Sequence, residues 1–346
     1  MCTAINLKTK DYYFGRNLDL EYTYRETVTV TPRNYPFHFR NAGEMDRHYA
    51  MIGMAYVVEG YPLYYEATNE KGVSAAGLLF AGNAHYPEPA EGKDNIPPFE
   101  FIPWLLAQCD TMDAVRKLLE RVNLVNQSFS EELPLTPLHW MISHKGETVV
   151  VESMKDGLHI YDTPIGVLTN NPPFQTQLWN LSNYMGLTRK TQENRFADGV
   201  ELAAYSRGMG AIGLPGDVSS ASRFVRAAFV LHNSVSGESE QESVGRFFHV
   251  LTSVEQQKGC VHMGGEEYEV TAYSSCCNAD KGIYYYTTYG NRQISAVNMM
   301  CEDLDGTEPV LYSLVKSEQI FLQNSLENKT IVQKRSKRLI ETAMEM

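Results

Sequence analysis

The chain opens Met1-Cys2-Thr3-Ala4-Ile5-Asn6-Leu7-Lys8-Thr9-Lys10-Asp11-Tyr12-Tyr13-Phe14-Gly15-Arg16-Asn17-Leu18-Asp19. Residues 2–7 alternate as a strand does, and residues 12–17 form a second β-rich run. The polar stretch Lys8-Thr9-Lys10-Asp11 between them predicts a hairpin. A turn centred between Thr9 and Lys10 sets Cys2 opposite Asn17 and Thr3 opposite Arg16, with Asp19 just beyond. A thiol, a guanidinium and a carboxylate are thereby gathered at one end of a two-stranded ribbon.

That gathering gives Cys2 two readings. It is an ordinary residue that starts a strand, or it is a nucleophile. Cysteine at position two is small enough for Met1 to be trimmed, which leaves a thiol beside its own α-amine. An α-amine titrates near ~7.7–8.0, so much of it is available as a base close to neutral pH. A neighbouring guanidinium such as that of Arg16 favours the thiolate.

Outward from the hairpin, strands are expected at Thr27–Thr31 and at residues 50–58, 72–80, 148–152, 158–161 and 166–170. A late pair is expected at 282–288 and 293–297, joined through Tyr289-Gly290-Asn291. Helices are expected at 101–109, at 112–122 with Asp110 or Thr111 as cap, and at 222–231 and 244–254. Strand runs separated from helix runs predict an α+β fold of stacked layers rather than an alternating parallel sheet. No repeat or low-complexity linker divides the chain. The last stretch, 325–346, carries Lys329, Lys334, Arg335, Lys337 and Arg338 against Glu327, Glu341 and Glu345. It reads as a solvated helix or frayed tail, with a basic docking segment as the sharper alternative.

Composition narrows the function classes. Lys and Arg number 30 against 42 Asp and Glu, a net charge of −12, which argues against a general nucleic-acid binder. At 43% hydrophobic and 21% charged, the 346 residues are those of a globular protein, long enough for one large domain or two. No apolar run approaches the ~18 residues of a membrane span. The six cysteines show no Cys-x-x-Cys spacing, and the start lacks an apolar signal region, so a cytoplasmic protein with reduced thiols is expected. Asn126-Gln127-Ser128, Asn180-Leu181-Ser182 and Asn328-Lys329-Thr330 are read as chance matches to the glycosylation pattern. Gly208-Met209-Gly210-Ala211-Ile212-Gly213 matches a dinucleotide fingerprint, but Pro215 and Gly216 stand where a helix should continue. Ser313-Leu314-Val315-Lys316 matches a β-lactamase pattern without its companion motifs. The nine histidines are scattered and include no His-Glu-x-x-His, so no metal is expected.

Several further stretches carry a family resemblance. They are Met1-Cys2-Thr3-Ala4, Phe14-Gly15-Arg16-Asn17-Leu18-Asp19, Thr31-Pro32-Arg33-Asn34-Tyr35, Asn69-Glu70-Lys71-Gly72 and Pro137-Leu138-His139-Trp140. They continue through Gly166-Val167-Leu168-Thr169-Asn170-Asn171-Pro172, Ile212-Gly213-Leu214-Pro215-Gly216-Asp217, Ser222-Arg223-Phe224 and Ser253-Val254-Glu255-Gln256-Gln257. Tyr273-Ser274-Ser275-Cys276 and Lys281-Gly282-Ile283-Tyr284-Tyr285-Tyr286 close the set. In these the chain resembles the choloylglycine hydrolases, which include the bile salt hydrolases and penicillin V acylases, and most of all the bile salt hydrolases of gut bacteria.

The resemblance implies an N-terminal-nucleophile hydrolase, a four-layer αββα sandwich spanning residues 1–324 as one catalytic domain, assembled as a homotetramer. It implies Cys2 as nucleophile after loss of Met1, with Arg16 and Asp19 beside it, Asn170 in the oxyanion region and Arg223 as a later active-site arginine. No organic cofactor is implied. The implied substrate is a conjugated bile acid, its apolar wall formed by Leu18, Val58, Tyr65, Phe129 and Leu133. One departure stands out. The family's bile salt hydrolases place asparagine after Gly-Leu in the strand written here Gly77-Leu78-Leu79-Phe80, and penicillin V acylases commonly place tyrosine. Leu79 offers no polar group, leaving a backbone N–H or Asn83 to substitute for a donor worth ~2.7–4 kcal/mol of barrier. Ser206-Arg207-Gly208 resembles the glycine-preferring type, whose arginine suits a planar carboxylate. A penicillin V acylase or other acyl-amide hydrolase is the near alternative. A non-enzymatic bile-acid or lipid binder is the alternative of another class.

Overall fold

The opening hairpin forms, but one residue out of the expected register. The computed structural model describes residues 1–23 and 25–323. Strand β1 (Cys2–Lys8) pairs antiparallel with β2 (Tyr12–Leu20), and Cys2 lies opposite Leu18, Thr3 opposite Asn17 and Ala4 opposite Arg16. Lys8 stays in the ladder opposite Tyr12, so the loop is Thr9-Lys10-Asp11. The cause lies outside the hairpin. The Asp11 carboxylate accepts from Asn278 Nδ2 at 3.0 Å and pairs with Lys281 Nζ at 3.0 Å, while Tyr12 N–H donates to Asp280 at 2.7 Å. A one-residue slip exchanges the faces of every side chain. Cys2 and Arg16 therefore share a face, and Thr3, Asn17 and Asp19 share the other.

Two antiparallel sheets follow from the strand pattern. Further strands are β3 (Thr27–Thr31), β4 (Met51–Val58), β5 (Tyr61–Asn69), β6 (Ser74–Leu79), β7 (Leu138–His144), β8 (Glu147–Met154), β9 (Gly157–Asp162) and β10 (Val167–Leu168). Late in the chain come β11 (Val270–Asn278), β12 (Ile283–Thr288), β13 (Asn291–Asn298) and β14 (Val310–Ser313). The six-stranded sheet has the order β10-β1-β2-β11-β12-β13, and the eight-stranded sheet β9-β8-β7-β6-β5-β4-β3-β14. Strands β5, β7, β11 and β14 were not among the sequence expectations. Strand β5 reads Tyr-Pro-Leu-Tyr-Tyr-Glu-Ala-Thr-Asn, with Pro62 and Glu66 breaking the alternation, yet it is largely buried. Gly15 allows β2 to approach β11 closely, because a Cβ there would collide with the Ser275 carbonyl.

Helices cover the outer faces. Helices α1 (Phe101–Gln108) and α2 (Met112–Leu119) pack on the eight-stranded sheet. Thr111 caps α2, its hydroxyl accepting from Ala114 N–H at 3.2 Å. Helix α3 (Phe174–Leu181) follows β10 and was not anticipated. Helices α4 (Ser220–Asn233) and α5 (Glu240–Thr252) lie on the six-stranded sheet. Ser239 and Glu242 form a capping box at the start of α5. The fold is α+β in four layers, helices–sheet–sheet–helices. One apolar cluster fills the space between the sheets and under α4 and α5, and a second lies beneath α1 and α2. The expected extension 325–346 lies outside the described residues.

The second core holds a carboxyl that makes stability depend on pH. Glu100, just before α1, is 1% exposed and accepts the Arg40 N–H at 3.0 Å. Burial pushes its carboxyl up to about 7 from an ordinary 4.5. The folded state thus favours the protonated acid. This stabilisation is complete below about 4.5 and is lost as pH rises through about 7. Glu100→Gln, which mimics the neutral acid, should raise the unfolding temperature at pH 8 and change it little at pH 4.5. Equal shifts at both pH values would remove Glu100 from this role.

Candidate active site

The two faces of β2 carry two different polar clusters, and Cys2 sits between them. Cys2 is 4% exposed at the start of β1, packed in the inter-sheet core. Its peptide nitrogen donates to Asn170 Oδ1 at 2.8 Å. That nitrogen stands where a free α-amine would lie once Met1 is gone. Met1 itself continues the ladder: its α-ammonium donates to the Asp19 carbonyl at 2.9 Å and pairs with the buried Glu269. Burial pushes this α-amine below its ordinary value, partly offset by Cys2 and Asp19. Glu269, just before β11, is a site residue that sequence reading did not find.

On the inner face, Arg16 crosses to the opposite sheet. It is 1% exposed, and its Nη1 donates to the carbonyls of Tyr65 at 3.2 Å and Gly77 at 2.5 Å. Its Nε lies 3.9 Å from Glu66 Oε2. Glu66 in turn accepts from Tyr273 at 2.7 Å, Tyr284 at 2.5 Å and Ser275 at 2.9 Å. Burial pushes the Glu66 carboxyl up, and Arg16 and these hydroxyls oppose it. Three hydroxyl donors and a guanidinium explain how a carboxyl with 2% exposure is tolerated between two sheets. No spacing in the sequence links Glu66 to residues 273–284, so this cluster was not legible.

On the outer face, Arg223 of α4 latches the start of β1. Its Nη1 donates to the Cys2 carbonyl at 2.6 Å and to Thr3 Oγ1 at 2.7 Å, and its Nη2 donates to Asn170 Oδ1 at 2.8 Å. Asp19 Oδ1 accepts from Thr271 at 2.7 Å. Its other oxygen lies 3.9 Å from Arg223 Nη1 and makes no hydrogen bond among the described residues. Burial pushes the Asp19 carboxyl up, opposed first by Arg223 and then by the N-terminus. Asn170, just beyond β10, is fixed on three sides. Its Oδ1 accepts from Cys2 and Arg223, and its Nδ2 donates to the Leu79 carbonyl at 2.8 Å. The five candidate polar residues Cys2, Arg16, Asp19, Asn170 and Arg223 are thus brought to one place, from β1, β2, the loop after β10, and α4.

The residues expected to line an apolar wall divide. Tyr65, Phe129 and Leu133 line a cavity of about 320 Å³, together with Tyr22, Leu135 and Trp140. Its wall includes Tyr65 and Gly77, the residues whose carbonyls receive Arg16, so it abuts the polar cluster. Leu18 instead is buried in the inter-sheet core opposite Cys2, and Val58 is half-buried at the end of β4; neither lines this cavity. Leu79 is 38% exposed, and its carbonyl rather than its side chain engages Asn170. Arg207 lies on an exposed loop outside the cavity. Gly208 to Gly213 contains only a short 3-10 turn at Met209–Ala211, with no helix continuing from it. Among the described residues, no group of three or more His, Cys, Asp or Glu is placed to hold a metal ion. Nor is any helix among them long and apolar enough to cross a membrane.

Comparison with known proteins agrees with this geometry. A sequence model of linear amide C–N hydrolases of the choloylglycine hydrolase family matches residues 2–312. A protein of Lactiplantibacillus plantarum named bile salt hydrolase/transferase is 54% identical over 324 residues, which is 94% of this chain and 100% of the relative. One of Clostridium perfringens with the same name is 40% identical, over 92% of this chain and 99% of the relative. Among solved structures, a variant of conjugated bile acid hydrolase from Clostridium perfringens superposes with a TM-score of 0.86 at 38% identity, over 93% of this chain and 100% of that one. A penicillin V acylase from Agrobacterium tumefaciens reaches 0.71 at 18% identity, over 93% and 100% of the two chains, which shows the shared fold.

Proposed function

The chain belongs to the choloylglycine hydrolase family of linear amide C–N hydrolases, and from that premise we propose that it is a bile salt hydrolase, cleaving the amide bond of glycine- or taurine-conjugated bile acids. The observation that carries this reading is the 54% identity to a bile salt hydrolase/transferase along that relative's whole length. The apolar cavity beside the Cys2 cluster supports it, since a steroid needs an apolar wall next to the reacting amide.

The proposed mechanism begins with removal of Met1, which frees the Cys2 α-amine. The Cys2 thiolate attacks the amide carbonyl and forms a tetrahedral oxyanion. Asn170 holds the Cys2 nitrogen through Oδ1, and its second Nδ2–H joins backbone N–H groups in stabilising the oxyanion. Leu79 contributes its carbonyl to the orientation of Asn170. The α-amine passes a proton to the departing glycine or taurine nitrogen as the C–N bond breaks. Water then cleaves the thioester, returning the thiol and releasing the free bile acid. Asp19 Oδ2, which makes no hydrogen bond among the described residues and whose charge acts on the N-terminal amine, accepts from the freed amine. Arg16 supplies the positive charge beside the thiolate. Arg223 locks Cys2 and Asn170 together.

The proposal includes one catalytic domain over residues 1–324, a cytoplasmic location and a homotetramer. Six unpaired cysteines suit a reducing compartment. Trp179, Met185, Phe196 and Tyr205 expose large apolar side chains on one stretch of chain, as a subunit interface requires.

Incubation of purified protein with glycocholate, taurocholate and penicillin V tests the reading. Release of glycine or taurine is expected. Hydrolysis of penicillin V alone would transfer the assignment to the acylases. We expect a higher kcat/KM on glycocholate than on taurocholate, with Arg207 receiving the planar carboxylate. Arg207→Gly should narrow the ratio by up to ~1–2 kcal/mol, the scale of one charge-assisted hydrogen bond. An unchanged ratio would remove Arg207 from selectivity.

A further inference from the structure

Beyond the polar cluster around Cys2 lies a second buried pair, His139 on β7 directly opposite Glu152 on β8. Both are 0% exposed. His139 Nδ1 lies 3.0 Å from Glu152 Oε1, and His139 Nε2 lies 2.8 Å from the Thr169 carbonyl. The Phe80 ring stacks on the imidazole at 4.3 Å. A backbone carbonyl only accepts, so Nε2 carries a hydrogen. A neutral imidazole would then point the Nδ1 lone pair at a carboxylate oxygen. One more proton must sit between them. Glu152 also accepts the Phe174 N–H at 3.0 and 3.2 Å, at the N-terminus of α3, where helix polarity favours a carboxylate. The proton therefore belongs to the imidazole.

The pair grips both ends of one short loop. His139 holds Thr169, the residue before Asn170, and Glu152 holds Phe174, which starts α3. Between these two points lies Asn170, whose carboxamide meets Cys2, Arg223 and Leu79. We propose that His139 is an imidazolium paired with Glu152, and that this buried pair positions Asn170 for the reaction. The positioning role rests on the reading of Asn170 given above; the protonation state does not.

Glu152 is the carboxylate that His139 meets. Strand β9 presents Tyr161 and His159 on the same face, opposite β8, and His159 is tied to Asp156 at the surface at 2.9 Å. Phe80, Phe174 and Gln177 bring no titratable group from the other sides. Glu152→Gln separates charge from shape. Its carboxamide oxygen can still accept from Phe174, and its N–H donates to a neutral Nδ1, so the loop is held without the extra proton.

The test is nitrogen NMR of the full chain labelled at histidine, with His139→Gln assigning the signal. In the wild type both ring nitrogens of His139 should carry a hydrogen at pH 7, since each faces an acceptor. In Glu152→Gln one nitrogen should be unprotonated. A neutral His139 in the wild type at pH 7 would overturn the proposal. For positioning, Glu152→Ala should lower kcat roughly 10–100-fold at near-constant KM, and Glu152→Gln should return it to within about threefold of wild type. Equal losses in the two variants, or a loss carried by KM, would overturn the positioning role. Should Glu152→Ala fail to fold, the wild-type and Glu152→Gln spectra and rates still decide. Failure of the bile-salt reading shows differently, as a wild type that hydrolyses neither conjugate.

Discussion

Cys2→Ala should abolish hydrolysis of glycocholate, a loss of at least about 10⁴-fold, while the protein still folds. The expectation follows from position and chemistry. Cys2 is at the end of β1 where Arg16 arrives from one face and Asp19, Arg223 and Asn170 from the other. Its side chain is small and apolar in its packing, so removing the sulfur leaves a cavity too small to unfold a domain with two large cores. Cys2→Ser should be nearly as inactive, because an alcohol is a far weaker nucleophile than a thiolate at neutral pH. The intact mass of the active wild-type protein should lack one methionine, since the amine that protonates the leaving group must be that of Cys2. Substantial turnover by Cys2→Ala would sink the assignment, and so would an active enzyme retaining Met1.

Asn170→Ala should lower kcat by about 10²–10³-fold with little change in KM, the signature of a group that acts mainly in the transition state. It should also destabilise the fold. Arg223 Nη2 and the Cys2 nitrogen both donate to Asn170 Oδ1, and removing the acceptor leaves two buried donors unpaired, at about 1–3 kcal/mol each. Steady-state kinetics on glycocholate together with thermal unfolding would check both parts. A normal kcat would show that backbone donors suffice for the oxyanion. A loss carried entirely by KM would make Asn170 a binding residue.

The chemistry around Cys2 is built from charges that cannot face water. Arg16, Asp19, Glu66 and Arg223 are each nearly or wholly buried. Such groups are tolerable only when paired and hydrogen-bonded, and removing one partner strands the other. This explains why Arg16 is satisfied by two carbonyls of the opposite sheet as well as by Glu66. The guanidinium near Cys2 is thus held by the packing of the two sheets.

Much of this site could be read in the first nineteen residues. The alternation of 2–7, the polar turn and the β-rich run from Tyr12 are local signals, and local signals suffice for a hairpin. They also suffice to say that Cys2, Arg16 and Asp19 end near one another, because a hairpin of any plausible register brings those positions to one end. The α+β class was legible for the same reason: strand-like and helix-like periods fall in separate runs. Family resemblance added Asn170 and Arg223, which lie too far along the chain for any periodicity to connect them with Cys2.

What escaped local reading was decided by partners distant in sequence. The register of the hairpin is set by Asp280, Asn278 and Lys281, which grip its loop from the other end of the chain. That single residue of register determines that Cys2 shares the face of Arg16, toward Glu66 and the opposite sheet, while Thr3 shares the face of Asp19, toward Arg223 and α4. Strand β5 was obscured because Glu66, which breaks its apolar pattern, is matched by hydroxyls from β11 and β12. Glu152 lies in an expected strand, yet its partners, a histidine on the adjacent strand and the first N–H of α3, could not be read from the sequence. A buried charge is an exception to the hydrophobic pattern until its partner is known, and only the tertiary structure supplies the partner. Short-range sequence thus determined the hairpin and the class of fold, and set Cys2, Arg16 and Asp19 at one end of that hairpin. The face each polar residue presents, and the pairs that make those faces tolerable, depended on the packing of two sheets against each other.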